Sequence, residues 1–350
     1  MNFKHHFFIQ SLCFAFLVST SLFANDVDIK KSLQEAKNQI ANAKKSIQAA
    51  EKVILDLEKK LNAPAKPVSK TPTTKAPAKP VVKPPVKKEA PKPAVVLKSI
   101  FEDKNLESAI RQYVFSKRSN KEPIVAADVQ NISVIRANGK AIKSLKGLEH
   151  CRSLMEINLE GNDISDLSPI KGLTKVQSLN LSKNKIKNLD ALKGLVMLQY
   201  LQLEFNQISS LEPLKGLSKL TSLYLSNNQV SKLQPIHSLK KLWTLYLANN
   251  KVADIQPIQS LTNLTSLDLN NNQVSSLNAL KNLKSLNYLR LDKNKLKDIS
   301  VLVTMAEQDS KKDNRFSMFW RVYLTGNALN SEKHKKDMET LKKLGCRLVH

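Results

Sequence analysis

One interval governs this chain. Asn162, Asn184, Asn206, Asn228, Asn250, Asn272 and Asn294 follow one another at 22 residues without a slip. Each is preceded by L-x-x-L-x-L-x-x and followed by apolar residues at plus 2, plus 5, plus 8 and plus 11. One copy reads Leu220, Leu223, Leu225, Asn228, Val230, Leu233, Ile236, Leu239. A unit this short cannot bury its own apolar residues, but a stack of units can, so the period predicts a solenoid. Leu223-Tyr224-Leu225 alternates inward and outward and predicts a short strand. Successive strands then stack at about 4.8 Å into a parallel sheet. The asparagine stands where the chain leaves the strand. Its amide supplies two donors and an acceptor, which suits it to backbone groups of neighbouring turns that would otherwise be buried unpaired. The expected role of these seven residues, and of Asn327 in a later turn, is structural.

The pattern L-x-x-L-x-L-x-x-N is the leucine-rich-repeat signature. With the step Leu167-Ser168-Pro169-Ile170, repeated as Leu211-Glu212-Pro213-Leu214, it resembles bacterial repeat proteins of the internalin and SDS22-like type. The resemblance covers roughly residues 99–350. It implies an α/β solenoid: a right-handed superhelix with a parallel concave sheet, short 3₁₀ or irregular turns on the convex side, and helical caps at both ends. It also implies that the concave sheet carries the partner site. Prolines seven residues after the asparagine agree, since they would break a long helix.

The ends depart from the period. Asp103 to Glu107 opens an expected cap helix with Leu106, Ile110, Tyr113 and Val114 on its apolar side, within a cap over 97–131. A second short helix is expected from Ala126 to Gln130. The repeats proper span 132–302, and the first turn carries Lys140 where asparagine is expected. Asn327 comes 33 residues after Asn294, so an insertion around Val303 to Phe319 should form a helix and turn. Within the last segment, 303–350, a helix from Ser331 to Leu344, a stop at Gly345 and a strand at Arg347–Val349 are expected to close the sheet edge.

The front of the chain is of another kind. Residues 1–24 read as an export signal: Lys4, an apolar run from Phe7 to Phe23, then Ala24. An uncleaved anchor is the other reading, because Leu22 fits the cleavage pattern poorly. Over 25–62, Ile29, Leu33, Ala36, Ile40, Ala43, Ile47, Ala50, Ile54, Leu57 and Leu61 keep a 4-3 rhythm, the seam of a coiled coil and a route to self-association. A single helix docked elsewhere or lying on a membrane fits the same pattern. Residues 63–96 form a disordered Lys/Pro linker, with nine prolines and eight lysines in 63–94. It suits either contact with an acidic cell wall or membrane surface, or a solvated spacer held open by its own charge.

A function should sit on the outward strand positions, two, four and six residues before each asparagine. Five of the six tyrosines fall there: Tyr200, Tyr224, Tyr246, Tyr288 and Tyr323. Glu204, Asp268, Arg290 and Arg321 share the face, and Phe205 and Trp243 lie at its margins. Exposed aromatics of this kind match binding hot spots, although tyrosine is also simply a good strand residue. The net charge of +26 does not mark this face as a nucleic-acid groove. Five acids there (Glu156, Glu160, Glu204, Asp268 and Asp292) oppose Arg290 and Arg321, and lysines such as Lys171, Lys193 and Lys215 fall on the outer side. No catalytic motif, metal pair or phosphate-binding glycine loop occurs. Cys151 and Cys346 lie at opposite ends of the stack, too far apart to bridge. The sequence therefore predicts an exported, non-enzymatic protein without cofactor or metal, which binds a protein ligand on the concave face and binds no nucleic acid. A wall-associated structural protein and a glycan-binding module are the alternatives.

Overall fold

The structure, a computed structural model, describes Gln34, residues 98–311 and residues 320–350. The export signal, the linker and, apart from Gln34, the heptad segment lie outside the described residues. So does most of the second half of the 303–319 insertion.

Ten three-residue strands form one sheet in sequence order. They are β1 (Val134–Arg136), β2 (Glu156–Asn158), β3 (Ser178–Asn180), β4 (Tyr200–Gln202), β5 (Ser222–Tyr224), β6 (Thr244–Tyr246), β7 (Ser266–Asp268), β8 (Tyr288–Arg290), β9 (Arg321–Tyr323) and β10 (Arg347–Val349). Every pairing is parallel and in register, as in Leu223 opposite Leu245 and Leu245 opposite Leu267. The middle residue of β1 to β9 is buried and its neighbours face outward, as period-two alternation requires. The fully buried leucine and isoleucine columns on either side of each strand run into one continuous core. Opposite the sheet the chain turns through short 3₁₀ segments. Four of them carry proline at their second position, Pro169, Pro213, Pro235 and Pro257. There the missing N–H costs no helical bond.

The asparagine column ties turn to turn. Asn228 Nδ2 donates to Leu203 O (2.9 Å) and Leu225 O (3.0 Å), and its Oδ1 accepts from Ile208 N (3.0 Å). The pattern recurs from Asn162 through Asn184, Asn206, Asn250, Asn272 and Asn294. It ends at Asn327, which reaches Leu291 O and Leu324 O at 2.8 Å each. Each asparagine thus completes backbone groups of its own turn and of the one before. Asn162 does so for the first turn, where Lys140 stands exposed and the column has no asparagine.

Helix α1 (Lys104–Arg111) begins at Asp103, whose Oδ1 accepts from Asn105 N and Leu106 N. Its other oxygen accepts from Lys143 N and Ser144 N, which fastens the cap to the first turn. Leu106, Ala109 and Ile110 are buried. Tyr113 departs from expectation: it lies past the helix end, partly exposed, and its hydroxyl accepts from Arg136 N (2.9 Å) and donates to Arg136 O (3.3 Å). A side chain therefore occupies the free backbone edge of β1. Helix α2 (Ala126–Val129) completes this cap. At Gly147, φ is +106° and a Cβ would lie 2.5 Å from the Phe101 ring, so only glycine fits where the cap meets the first turn.

At the other end, α3 (Ser300–Ser310) starts the insertion and α4 (Glu332–Lys343) packs beside it. Ser331 caps α4, and Gly345 ends the helix with φ +90°. Among the described residues the expected helix and last strand form, but nothing covers the sheet edge beyond them. β10 adds one strand and is itself the terminal strand, with Val349 49% exposed. A parallel strand leaves its outer edge as open as the one it covered.

Candidate functional site

The strands are too short to hold more than two outward side chains each, so the face is built from columns that the register aligns. Tyr224 lies directly opposite Tyr246 on the next strand. The other tyrosines stand in different columns or skip a strand, yet the rings meet. Centroids are 5.4 Å apart for Tyr200 and Tyr224, 5.2 Å for Tyr224 and Tyr246, 6.4 Å for Tyr246 and Tyr288, and 5.7 Å for Tyr288 and Tyr323. The Tyr224 and Tyr246 rings meet edge to face, at 86°, an arrangement aromatic quadrupoles favour. Between Tyr246 and Tyr288 the intervening strand has no ring: it offers the low Asp268 and Ser266, whose hydroxyl donates to Tyr246 Oη at 3.0 Å. Five rings thus run unbroken from β4 to β9. Burial pushes the Tyr200 phenol up to about 12, helped by Tyr224 and by the charges of Glu204 and Glu160. Burial also raises Tyr224 and Tyr288.

Phe205 and Trp243 flank this ladder at opposite ends of the strands, 52% and 58% exposed. Phe205 occupies the left-handed region at φ +54°. Its column otherwise holds Gly161, Lys183, Asn227, Asn249, Asn271, Lys293 and Gly326. A bulky ring is a costly choice there. Asn227, Asn249 and Asn271 form a surface chain in the same column, Nδ2 to Oδ1 at 2.9 Å at each step.

The face is less open than its column pattern suggests. Two residues before the asparagine, Ser182, Ser226, Ala248 and Asp292 are buried, and Asp268, four before, is only 8% exposed. These side chains are short, and the taller neighbours on adjacent strands cover them. Arg290 lies with its guanidinium 5.2 Å over the Tyr323 ring and its Nε 3.1 Å from Asp292. Arg321 is exposed. Burial raises the Asp268 carboxyl against the lowering pull of Asn270 N–H and Arg290, and burial likewise raises Glu204.

Among the described residues no group of three metal-ligating side chains occurs, and no helix is long and apolar enough to cross a membrane. Cys151 and Cys346 are free and buried, and burial pushes both thiols up to about 12. Sequence reading placed the tyrosines on the face and the two aromatics at its margins. It missed the continuity of the ladder, the strain at Phe205 and the stacking of Arg290 on Tyr323. Only the small serine between Tyr246 and Tyr288 hinted at the first of these.

The family described as leucine-rich repeats (2 copies) matches residues 196–236, 218–260, 240–282 and 262–304. A second, described as leucine rich repeat, matches residues 152–208. No curated protein matches the chain. Among solved structures, internalin C2 from Listeria monocytogenes is 33% identical over 59% of this chain and 91% of that one, with a TM-score of 0.57. A leucine-rich-repeat protein of Leptospira interrogans is 20% identical over 66% of this chain and 63% of that one, also at 0.57. The functional domain of InlJ from Listeria monocytogenes is 20% identical over 70% of this chain and 55% of that one, at 0.54. The last two share the fold. The first shares the fold and a third of its residues across nearly its whole length, and with the ten-turn register and asparagine column this places the chain in the internalin-like family of bacterial leucine-rich-repeat proteins.

Proposed function

We propose that this protein is an exported, non-enzymatic binding protein whose concave face holds a protein ligand. The observation that carries the reading is the unbroken ladder of Tyr200, Tyr224, Tyr246, Tyr288 and Tyr323. Large amphipathic rings, already ordered by one another, give contact area at little further entropic cost. Phe205 and Trp243 add exposed apolar surface at the two margins. In this reading residues 1–24 direct export and 25–62 pair chains through the heptad seam. Residues 63–96 then extend the solenoid from the paired helices, with lysines suited to an acidic wall or membrane surface. Pairing would present several solenoids together and raise avidity without new contacts.

The test is a cross-linked pull-down with the full chain, run beside a variant carrying Tyr224→Ser, Tyr246→Ser and Tyr288→Ser. Matching circular dichroism and melting establish first that both are folded. A protein captured by the parent and lost by the variant is the expected result. Equal capture by both would sink the concave-face reading and move attention to the basic outer surface.

A further inference from the structure

Most acids on the concave face are held in salt bridges, and the two that are not lie near its centre. Glu156 is joined to Arg136 at 2.8 Å, Glu160 to Lys183 at 2.7 Å and Asp292 to Arg290 at 3.1 Å. No salt bridge among the described residues reaches Glu204 or Asp268. Asp268 accepts one hydrogen bond, from Asn270 N at 2.9 Å. Glu204 is hydrogen-bonded to Ser226. Between these two acids the position two before each asparagine holds only the small Ser226 and Ala248. The rings of Tyr224 and Tyr246 stand four before, along the same strands. On the preceding turn the Ser182 hydroxyl is buried and has no hydrogen-bond partner among the described residues.

Arg290, opposite Asp268, and Lys183 act on these acids without a salt bridge, and a half-buried carboxylate without a contacting counter-charge is costly unless something supplies one. Burial, Glu160 and Asp268 press the Glu204 carboxyl upward and outweigh the Ser226 hydrogen bond and Lys183, which pull it down. The chain has a surplus of 26 positive charges, and none of its described residues forms an ion pair with these two acids. The aromatic half of the arrangement favours a cation as well, since a ring face attracts positive charge. The solenoid contains one filled example of the combination, Arg290 held over Tyr323 by Asp292.

We propose that the concave face reads a basic segment of its protein partner, an arginine or lysine laid over Tyr224 and Tyr246 and neutralised by Glu204 and Asp268. This rests on the concave-face reading and names the partner's chemistry. A partner bringing only apolar groups would bury both acids unpaired, and one bringing acids would be repelled.

The probe is tetra-arginine amide, titrated calorimetrically into the full chain at low salt. Its controls are the same peptide with citrulline at each arginine, and tetra-glutamate. The variant is Glu204→Gln with Asp268→Asn, both close in shape and checked for an unchanged circular dichroism spectrum and for melting no lower than the parent's. Because the chain as a whole repels a polycation, saturable binding reports a local acidic site. The expected result is saturable binding by the parent and at least tenfold weaker binding by the variant and of the citrulline peptide. Binding should also weaken as the pH falls and the two carboxyls take up protons. No saturable binding, equal binding by the variant, or preference for tetra-glutamate would overturn the inference. If the tyrosine variant loses a captured protein while tetra-arginine fails, the inference falls and the concave-face reading stands. If capture is indifferent to the tyrosines while tetra-arginine binding depends on the two acids, the acids form a cation site, but the concave-face reading falls and the inference about its protein partner falls with it.

Discussion

At the scale of the residue, two neighbours illustrate how differently one amino acid is used. Asn228 is buried and satisfies three backbone groups. Asn227 beside it is half-buried, takes the left-handed conformation at φ +60° and accepts from Asn249. Asn228→Ala leaves Leu203 O, Leu225 O and Ile208 N without their partner, at roughly 1–3 kcal/mol for each buried group left unpaired. A loss of about 3 kcal/mol in urea unfolding is expected. Asn227→Ala should cost about 1 kcal/mol, because alanine lacks the short polar side chain that lets asparagine tolerate the left-handed region. Equal losses would contradict this division of roles. Phe205→Asn tests the opposite case. Asparagine tolerates φ +54° and phenylalanine does not, so the variant should gain about 1 kcal/mol. It should also lose affinity for whatever the parent captures, which would show that the strain is kept for the sake of the exposed ring. The buried asparagines were legible because the period fixes their place. The strain at Phe205 was not, because handedness belongs to the turn and is invisible in a list of residue types.

At the scale of the element, the strands and 3₁₀ turns follow from apolar spacing and proline placement alone. The ring ladder does not, because it depends on Tyr246 and Tyr288 meeting across Ser266. The burial of Asp268 and Asp292 likewise depends on taller neighbours from other strands. The two sheet edges differ for a similar reason. Tyr113, placed by sequence on the cap's apolar side, instead uses its hydroxyl on both backbone groups of Arg136. Tyr113→Phe should cost about 1 kcal/mol, the net worth of an ordinary hydrogen bond. Its effect should be local: faster hydrogen exchange at the Arg136 amide, with the central strands unchanged. Uniform acceleration across the sheet would mean that the hydroxyl supports the whole stack.

At the scale of the whole molecule, stability should depend on pH in two opposed ways. Glu204 and Asp268 have carboxyls raised by burial above the ordinary values of 4.5 and 3.8. Their ionised forms weaken the folded state, so their contribution improves as the pH falls from neutrality through those raised values. Asp103 behaves oppositely. Burial pushes it up, but backbone N–H groups of Lys143, Leu106, Ser144 and Asn105 outweigh that and hold it below 3.8. Asp298 is held low by the Ser300 N–H and by Lys333. Stability from these two is complete above the ordinary value and is lost as the pH falls through their depressed ones. The urea midpoint should therefore rise modestly from neutral to mildly acidic pH, then drop below pH 3.8. Glu204→Gln with Asp268→Asn should flatten the rise, and Asp103→Asn the fall.

The asparagine column also has a direction. Each amide reaches back one turn, so every turn is fastened by its successor: Ile208 by Asn228, Val230 by Asn250, Leu296 by Asn327. Under load the solenoid should therefore behave as a zipper with a preferred end. Peeling from the C-terminal side removes each latch before the turn it holds, whereas peeling from the N-terminal side must break a turn that is still latched. An optical trap should record lower rupture forces from the C-terminal end. Each step within the regular repeats should release 22 residues of chain, about 75 Å of contour length at full extension.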